Sequence, residues 1–233
     1  MLPPWKDRAM NIAAVLALGF FLGMRHATDS DHVVAVSAIV SRERSLRAAL
    51  PIGILWGLGH TLTLFAIGGA IVLLGIVIPP YLGLGMEFCV ALMLLLLGGL
   101  NICTTLRGTS LHDSAEASPM HAPLRLMRPF AVGIVHGLAG SAAIALLVLG
   151  AIREPLCAVG YLLVFGFGTV VGMLAITVAL AWPLAALVRR FERFHGVLGF
   201  ATGLASVAFG AVLAYRVGFV HGLFSGHPAW TPE

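Results

Sequence analysis

A cluster of ionisable side chains interrupts an otherwise apolar stretch of the sequence. Residues 25–32 read Arg-His-Ala-Thr-Asp-Ser-Asp-His, with the apolar runs 11–24 and 33–40 on either side. Placing one Asp or Arg at the centre of a bilayer costs about 2.5–3.5 kcal/mol, so several such groups together indicate a functional site. Imidazole and carboxylate without thiolate suit nickel, cobalt, zinc or ferrous iron better than copper(I), calcium or magnesium.

The spacing within this cluster leaves two ligand sets open. On a regular helix His26, Asp29 and His32 follow at steps of three and share one face. Asp31 joins His26 and His32 on one ion only if the helix is distorted between them. We predict His26, Asp31 and His32 as ligands, with Arg25 and Asp29 as an internal ion pair at i, i+4 spacing. The alternative keeps Asp29 as the carboxylate ligand.

A second apolar run contributes another histidine. His60 stands between Gly59 and Thr61, and glycine in a membrane helix allows a neighbouring backbone to approach closely. A lone histidine in an apolar helix is commonly structural. Beside the first cluster, however, His60 completes a set of nitrogen and oxygen donors, so we predict it as a ligand. Thr61 is predicted to orient its ring through a hydrogen bond.

These residues resemble the signatures of the nickel/cobalt transporter family. His26, four residues and then Asp31-His32 match the family's H-x-x-x-x-D-H motif, and Gly59-His60-Thr61 is similar to its second motif. The segment 136–141, His-Gly-Leu-Ala-Gly-Ser, departs from the Asp-Thr-Ala-Thr-Glu of the family pattern.

With about six predicted spans, the chain resembles the shorter, urease-accessory-type branch of that family. The resemblance implies uptake of nickel or cobalt as the transported substrate. It also implies hand-over of the ion to a nickel chaperone or to a urease or hydrogenase maturation system.

The composition places most of the chain in lipid. Hydrophobic residues make up 59% and charged residues 10% of the 233 positions, and the mean hydropathy is +0.99. At about 20 residues per span, we predict an all-α integral membrane protein of about six transmembrane helices, compatible with a homo-oligomer. No separate catalytic domain, prosthetic group or nucleic-acid partner is expected. The predicted spans are 11–40, 48–78, 83–104, 129–151, 156–188 and 196–219.

Two motifs recur between the halves of the chain. Phe20-x-x-Gly23-x-x-His26 returns as Phe130-x-x-Gly133-x-x-His136, and Gly57-x-Gly59-His60-Thr61 is echoed by Gly166-x-Gly168-Thr169. Two groups of three spans must face opposite ways, which is the inverted-repeat arrangement of many secondary transporters.

The recurrence predicts three parts of the chain. Residues 1–104 form the first repeat, 105–128 a polar cytoplasmic linker, and 129–233 the second repeat and the C-terminal tail. His136 lies opposite His26 in this scheme, as a ligand or gate residue or, alternatively, as a structural hydrogen-bonding group. Ser141 is a supporting residue beside it.

The distribution of basic residues predicts the orientation. The loops 41–47, 105–128 and 189–195 contain nine arginines, whereas the opposite side carries four lysines and arginines. The positive-inside rule therefore places these loops in the cytoplasm and both termini outside the cell membrane.

Transport is the function that these features favour, and an enzyme is not expected. The runner-up is a proton-linked anion or sulfite-type exporter with the cluster as a proton relay. An intramembrane hydrolase using His136 and Ser141 is disfavoured because two residues five apart meet poorly on a helix. Haem-mediated electron transfer through histidine pairs is a further minor alternative.

Overall fold

A computed structural model describes residues 4–43, 45–75, 78–107, 122–137, 152, 154–190, 193–226, 228 and 230. These residues form helices, with no β-strand among them, as the all-α prediction requires. The helices are α1 (Pro4–His26), α2 (Ser30–Val40), α3 (Leu46–Leu74), α4 (Pro80–Leu106), α5 (Ala122–Gly137), α6 (Pro155–Arg190) and α7 (Arg193–Tyr215), followed by a π-helical turn over Arg216–Val220.

The chain is a membrane protein with several apolar helices of spanning length. Within the described residues, four segments are long and apolar enough to cross a membrane: Leu46–Ile71, Pro80–Leu106, Leu156–Leu187 and Gly196–Val220. Ile12–His26 and Ser30–Val40 pass the same test as one bent pair. The predicted span 129–151 lies partly outside the described residues, so the count of six stays a prediction. Helix α5 begins at Ala122, inside the segment predicted as a linker.

The segment predicted as the first span is broken at the ionisable cluster. Helix α1 ends at His26 and α2 begins at Ser30, and the two axes differ by 54°. The Thr28 amide bonds to the Arg25 carbonyl at 2.8 Å, and the Thr28 hydroxyl donates to the same oxygen. Short polar side chains compete in this way with the helical hydrogen bonds of the backbone. The helix is therefore distorted between His26 and Asp31, but these two residues do not fall in one group of potential ligand atoms.

The helices pack in matched pairs. Helix α1 lies along α6, α3 lies along both α5 and α6, and α4 lies along α7. At four positions of the recurring motifs a Cβ atom would collide with a carbonyl oxygen of the neighbouring helix: Gly23 at Phe165, Gly168 at Phe20, Gly133 at Trp56 and Gly59 at Phe130. These glycines are thus required for the close approach of the backbones.

A polar network holds the far end of α2. Asn101 on α4 donates from Nδ2 to the Ala38 carbonyl at 2.7 Å, and Arg42 donates from Nη2 to the Asn101 carbonyl at 2.7 Å. The hydroxyls of Ser41 and Thr202 lie 2.9 Å apart, which joins the same end to α7. The short helix that begins with the cluster is therefore anchored at its other end by α4 and α7.

Candidate metal centre

Four histidines from four helices meet inside the bundle. His26 ends α1, His32 lies in the first turn of α2, His60 is on α3, and His136 is near the end of α5. His26 is 5% exposed and the other three are completely buried. The ring of His32 is central, with centroid distances of 4.7 Å to His26, 5.0 Å to His60 and 4.2 Å to His136. The structure thus brings together histidines that are far apart in sequence.

A carboxylate fixes the orientation of His26. Nδ1 of His26 lies 2.9 Å from Oδ2 of Asp29, and because an ionised carboxylate only accepts, Nδ1 is the donor. The lone pair of a neutral His26 is then on Nε2, which lies 2.8 Å from Nε2 of His60. A carboxylate behind a histidine in this way is typical of metal sites.

The predicted ion pair between Arg25 and Asp29 is wrong. Arg25 is exposed, and the Asp29 carboxylate bonds to His26 instead. The i, i+4 geometry is lost because α1 ends at His26. Asp29 stands at the N-cap position of α2 without capping it. Its side chain is 36% exposed and belongs to neither of the ligand groups described below, so this geometry favours Asp31 as the carboxylate ligand.

Asp31 connects the two halves of the chain. Its Oδ2 accepts from Nε2 of His136 at 2.8 Å, and its Oδ1 accepts from Nδ1 of His32 at 3.2 Å. The side chain is 14% exposed, and its two bonds run to α2 and α5. His136 therefore lies at the cluster.

The potential ligand atoms form two groups that overlap at His32. His26, His32 and His60 each offer an atom within 4.8 Å of the others, and so do Asp31, His32 and His136. Among the described residues, three buried nitrogens of the cluster have no hydrogen-bond partner: Nε2 of His32, Nδ1 of His60 and Nδ1 of His136. Leaving such a group unpaired costs about 1–3 kcal/mol. Nitrogen and oxygen donors with lone pairs to spare fit a divalent transition-metal ion.

Two aromatic rings that were not predicted as site residues pack against the histidines. Phe165 packs on His26 with a centroid distance of 5.8 Å, and Trp56 packs on His136 at 5.4 Å. Both rings are buried, at 2% and 0% exposure. The signal was available, because aligning the two Gly-x-Gly segments puts Trp56 opposite Phe165.

The predicted supporting residue Thr61 has another position. The Thr61 hydroxyl donates to the Gly166 carbonyl at 3.1 Å, so it ties α3 to α6 and does not orient His60. Thr63, which the sequence analysis passed over, donates to the Ile134 carbonyl at 3.1 Å and ties α3 to α5. Ser141 lies outside the described residues.

Comparison with known proteins gives two relatives. The chain is 34% identical to the urease accessory protein UreH of Bacillus sp. (strain TB-90) over 222 residues, which cover 92% of this chain and 96% of that protein. It is 27% identical to the chloroplast protein FOR GROWTH AND FERTILITY 2 of Arabidopsis thaliana over 220 residues, about half of that protein's length (54%). No protein-family model and no solved structure matches the chain.

Proposed function

The chain belongs to the family of the urease accessory protein UreH, and from this premise we propose that it transports a divalent transition-metal ion, nickel or the chemically similar cobalt, across a membrane. The observation that carries the proposal is the meeting of four buried histidines and Asp31 at a break in a membrane-spanning helix. Polar groups inside a membrane mark ion pathways. Broken helices near the middle of a bundle form the ion sites of many transporters.

The proposed direction is uptake into the cytoplasm across the cell membrane. The arginine-rich loops define the cytoplasmic side, and both termini lie outside. Inward movement of a dication is then favoured by the membrane potential, at about 2.3 kcal/mol per charge per 100 mV. The relationship to a urease accessory protein supports the proposed hand-over of the ion to a urease maturation system, directly or through a nickel chaperone.

The proposed mechanism treats the two halves as inverted repeats that rock around the site. Gly23 meets the Phe165 carbonyl as Gly133 meets that of Trp56, and the positions in each contact correspond in the recurring motifs. The reciprocal contacts of Gly59 and Gly168 follow the same rule. Such matched packing supports the two groups 1–104 and 129–233 as units that move against each other, opening the site to each side in turn.

Accumulation of nickel in cells tests the proposed function. In a strain without its own nickel importer, we expect the chain to raise cellular nickel and the His26→Ala, Asp31→Ala and His32→Ala variants to give none of that increase. His221→Ala is the matched control, because His221 follows the π-helical turn after α7 and belongs to neither group of potential ligands. Normal accumulation by the three cluster variants at equal membrane expression would overturn the assignment.

The anion-exporter alternative is tested on the purified protein. The hydrogen bonds of the histidine cluster join histidines and aspartates and involve no basic side chain of lysine or arginine. Arg25, the nearest basic residue in the sequence, is exposed. A site built for a dianion needs such basic groups. Calorimetric titration with nickel, cobalt, zinc and sulfite distinguishes the two, since the proposal expects heat of binding from metals that sulfite does not give.

A further inference from the structure

The two groups of potential ligand atoms share one residue, His32. Resting on the proposed function, we propose that the ion occupies two successive positions that share His32: a first position made by His26, His32 and His60, and a second made by Asp31, His32 and His136. His32 then acts as the pivot between them. The ion passes from one position to the other without losing all of its protein ligands at once.

Distances separate the two positions. Nitrogen ligands lie about 2.0–2.1 Å from a zinc-sized dication, so all ligands of one ion fall within about 4.2 Å of each other. Each group of three has its ligand atoms within 4.8 Å of one another, close to that limit. The groups overlap only at His32. The centroid of the His32 ring lies 4.7 Å from that of His26 and 4.2 Å from that of His136.

The hydrogen bonds of His32 assign one ring nitrogen to each position. Nδ1 of His32 lies 3.2 Å from Oδ1 of Asp31, which places this nitrogen with the second position. Nε2 is buried and has no partner among the described residues, so it is the atom left for the first position. A neutral imidazole has one proton and one lone pair, so the ion binds at Nε2 while Nδ1 donates its proton to Asp31. When the ion moves to Nδ1, that nitrogen releases its proton and Nε2, which the ion has left, takes one up. His32 thus holds the ion on one edge of the ring and then on the other.

The two positions differ in charge and in donor type. The first offers three neutral imidazoles, and Asp29 stands behind His26 as a positioning residue. Imidazole sets favour nickel, cobalt and zinc, whereas magnesium and calcium require oxygen ligands. The first position therefore selects the class of ion. The second adds the Asp31 carboxylate, which attracts the dication onward from a neutral site.

The proposed orientation gives the order of the positions, because α1 runs from the outer terminus to His26. Phe165 closes the end of the cluster at His26, and Trp56 closes the end at His136. The ion enters past the Phe165 end, binds first at the three histidines and leaves past the Trp56 end. With both termini outside, the first position faces the exterior.

Variants that remove one position at a time test this inference. In the purified full-length protein, His60→Ala removes only the first position, His136→Ala only the second, and His32→Ala both. We expect cobalt absorption spectra and nickel titrations to show one bound ion in His60→Ala and in His136→Ala, with different ligand sets, and a loss of binding in His32→Ala. Nickel uptake is expected to be lost in all three.

Controls keep the outcomes distinct. The variants are compared by thermal unfolding and by monodispersity, and His60→Gln and His136→Gln replace any alanine variant that fails to fold. The inference is overturned if His60 and His136 variants lose binding as completely as His32→Ala, because that describes one site. It is also overturned if either variant transports normally. If the wild-type protein transports nickel but the variants give one of these results, only the proposal of two positions is refuted. If the wild-type protein binds no nickel, the proposed function is refuted as well.

Discussion

The two halves of the chain share their packing and differ in their chemistry. In both, a glycine one turn before a histidine meets a carbonyl on the neighbouring long helix: Gly23 before His26, and Gly133 before His136. The first half supplies His26, Asp31, His32 and His60 to the cluster, whereas the described second half supplies only His136. The positions that make backbone contacts and the positions that supply ligands are therefore under different constraints.

Aligning the motifs of the two halves shows which ligand positions of the first half have no ligand in the second. Aligned on the motif that begins at Phe20 and Phe130, Asp31 and His32 correspond to Ser141 and Ala142. The counterpart of His60 is Thr169, whose hydroxyl donates to the Phe165 carbonyl at 3.0 Å. Glycine contacts recur because a helix pair cannot close without them. The first half already supplies four of the five ligands of the cluster, so the second half is free to vary at those positions.

The largest expected effect comes from making the first half resemble the second. His60→Thr should abolish nickel uptake, because it removes a ligand of the cluster, whereas Thr169→Val should leave uptake intact. Accumulation of radioactive nickel in cells measures both. Uptake that survives in His60→Thr, or is lost in Thr169→Val, would show that the asymmetry of the ligands is not functional.

The next effect concerns the rings at the two ends of the cluster. Trp56→Ala and Phe165→Ala should each lower the free energy of unfolding by about 3–5 kcal/mol, since removing a buried aromatic side chain leaves a cavity. Trp182→Ala is the control, because Trp182 is 72% exposed and should change little. Denaturation in mixed detergent measures the loss. Clearly unequal effects at Trp56 and Phe165 would weaken the correspondence between the halves.

Matched glycine substitutions should have a smaller effect. Gly23→Ala and Gly133→Ala are each expected to destabilise the bundle by about 1–3 kcal/mol through overpacking, because the added Cβ meets a backbone oxygen that cannot rotate away. Gly69→Ala, at a position with no neighbour to meet the added Cβ, serves as the control. Thermal unfolding of the purified variants checks this, and a neutral Gly133→Ala beside a damaging Gly23→Ala would break the symmetry of the packing.

A further effect is specific to the first half. Asp29→Ala should weaken nickel binding about 10–100-fold, the usual loss when a carboxylate that orients a metal-binding histidine is removed. Asp29→Asn should recover part of the affinity, because its side-chain oxygen still accepts from Nδ1 of His26. Calorimetric titration is the measurement. An unchanged affinity in Asp29→Ala would show that the carboxylate does not position His26.

The smallest effect is expected at the hydroxyls that tie α3 to its neighbours. Thr61→Val should cost about 0.6 kcal/mol, the average for a hydrogen bond between membrane helices, with nickel affinity unchanged. Thr63→Val is the matched variant on the α5 side. A large drop in nickel affinity for Thr61→Val would restore the predicted contact between Thr61 and His60.

The positions of several helices and of the ionisable cluster could be predicted from the sequence. Apolar runs identify the helices because lipid requires long uninterrupted apolar segments, and the predicted spans 83–104 and 196–219 lie within Pro80–Leu106 and Gly196–Val220. The cluster at 25–32 was found for the same reason, since polar groups are conspicuous in lipid. The Arg25–Asp29 pair was mispredicted because i, i+4 spacing assumes a continuous helix, and the break after His26 is a property of the folded backbone.

The sequence by itself determined that this is a helical membrane protein, that residues 25–32 and His60 carry its distinctive chemistry, and that two motifs recur. Only the tertiary structure decided how those residues are arranged: Asp29 behind His26, Asp31 between His32 and His136, and Trp56 and Phe165 at the two ends. The physical reason is that spacing along a chain fixes neighbours within one helix. Contacts between helices depend on which backbones can approach, and the glycines decide this only once the helices meet.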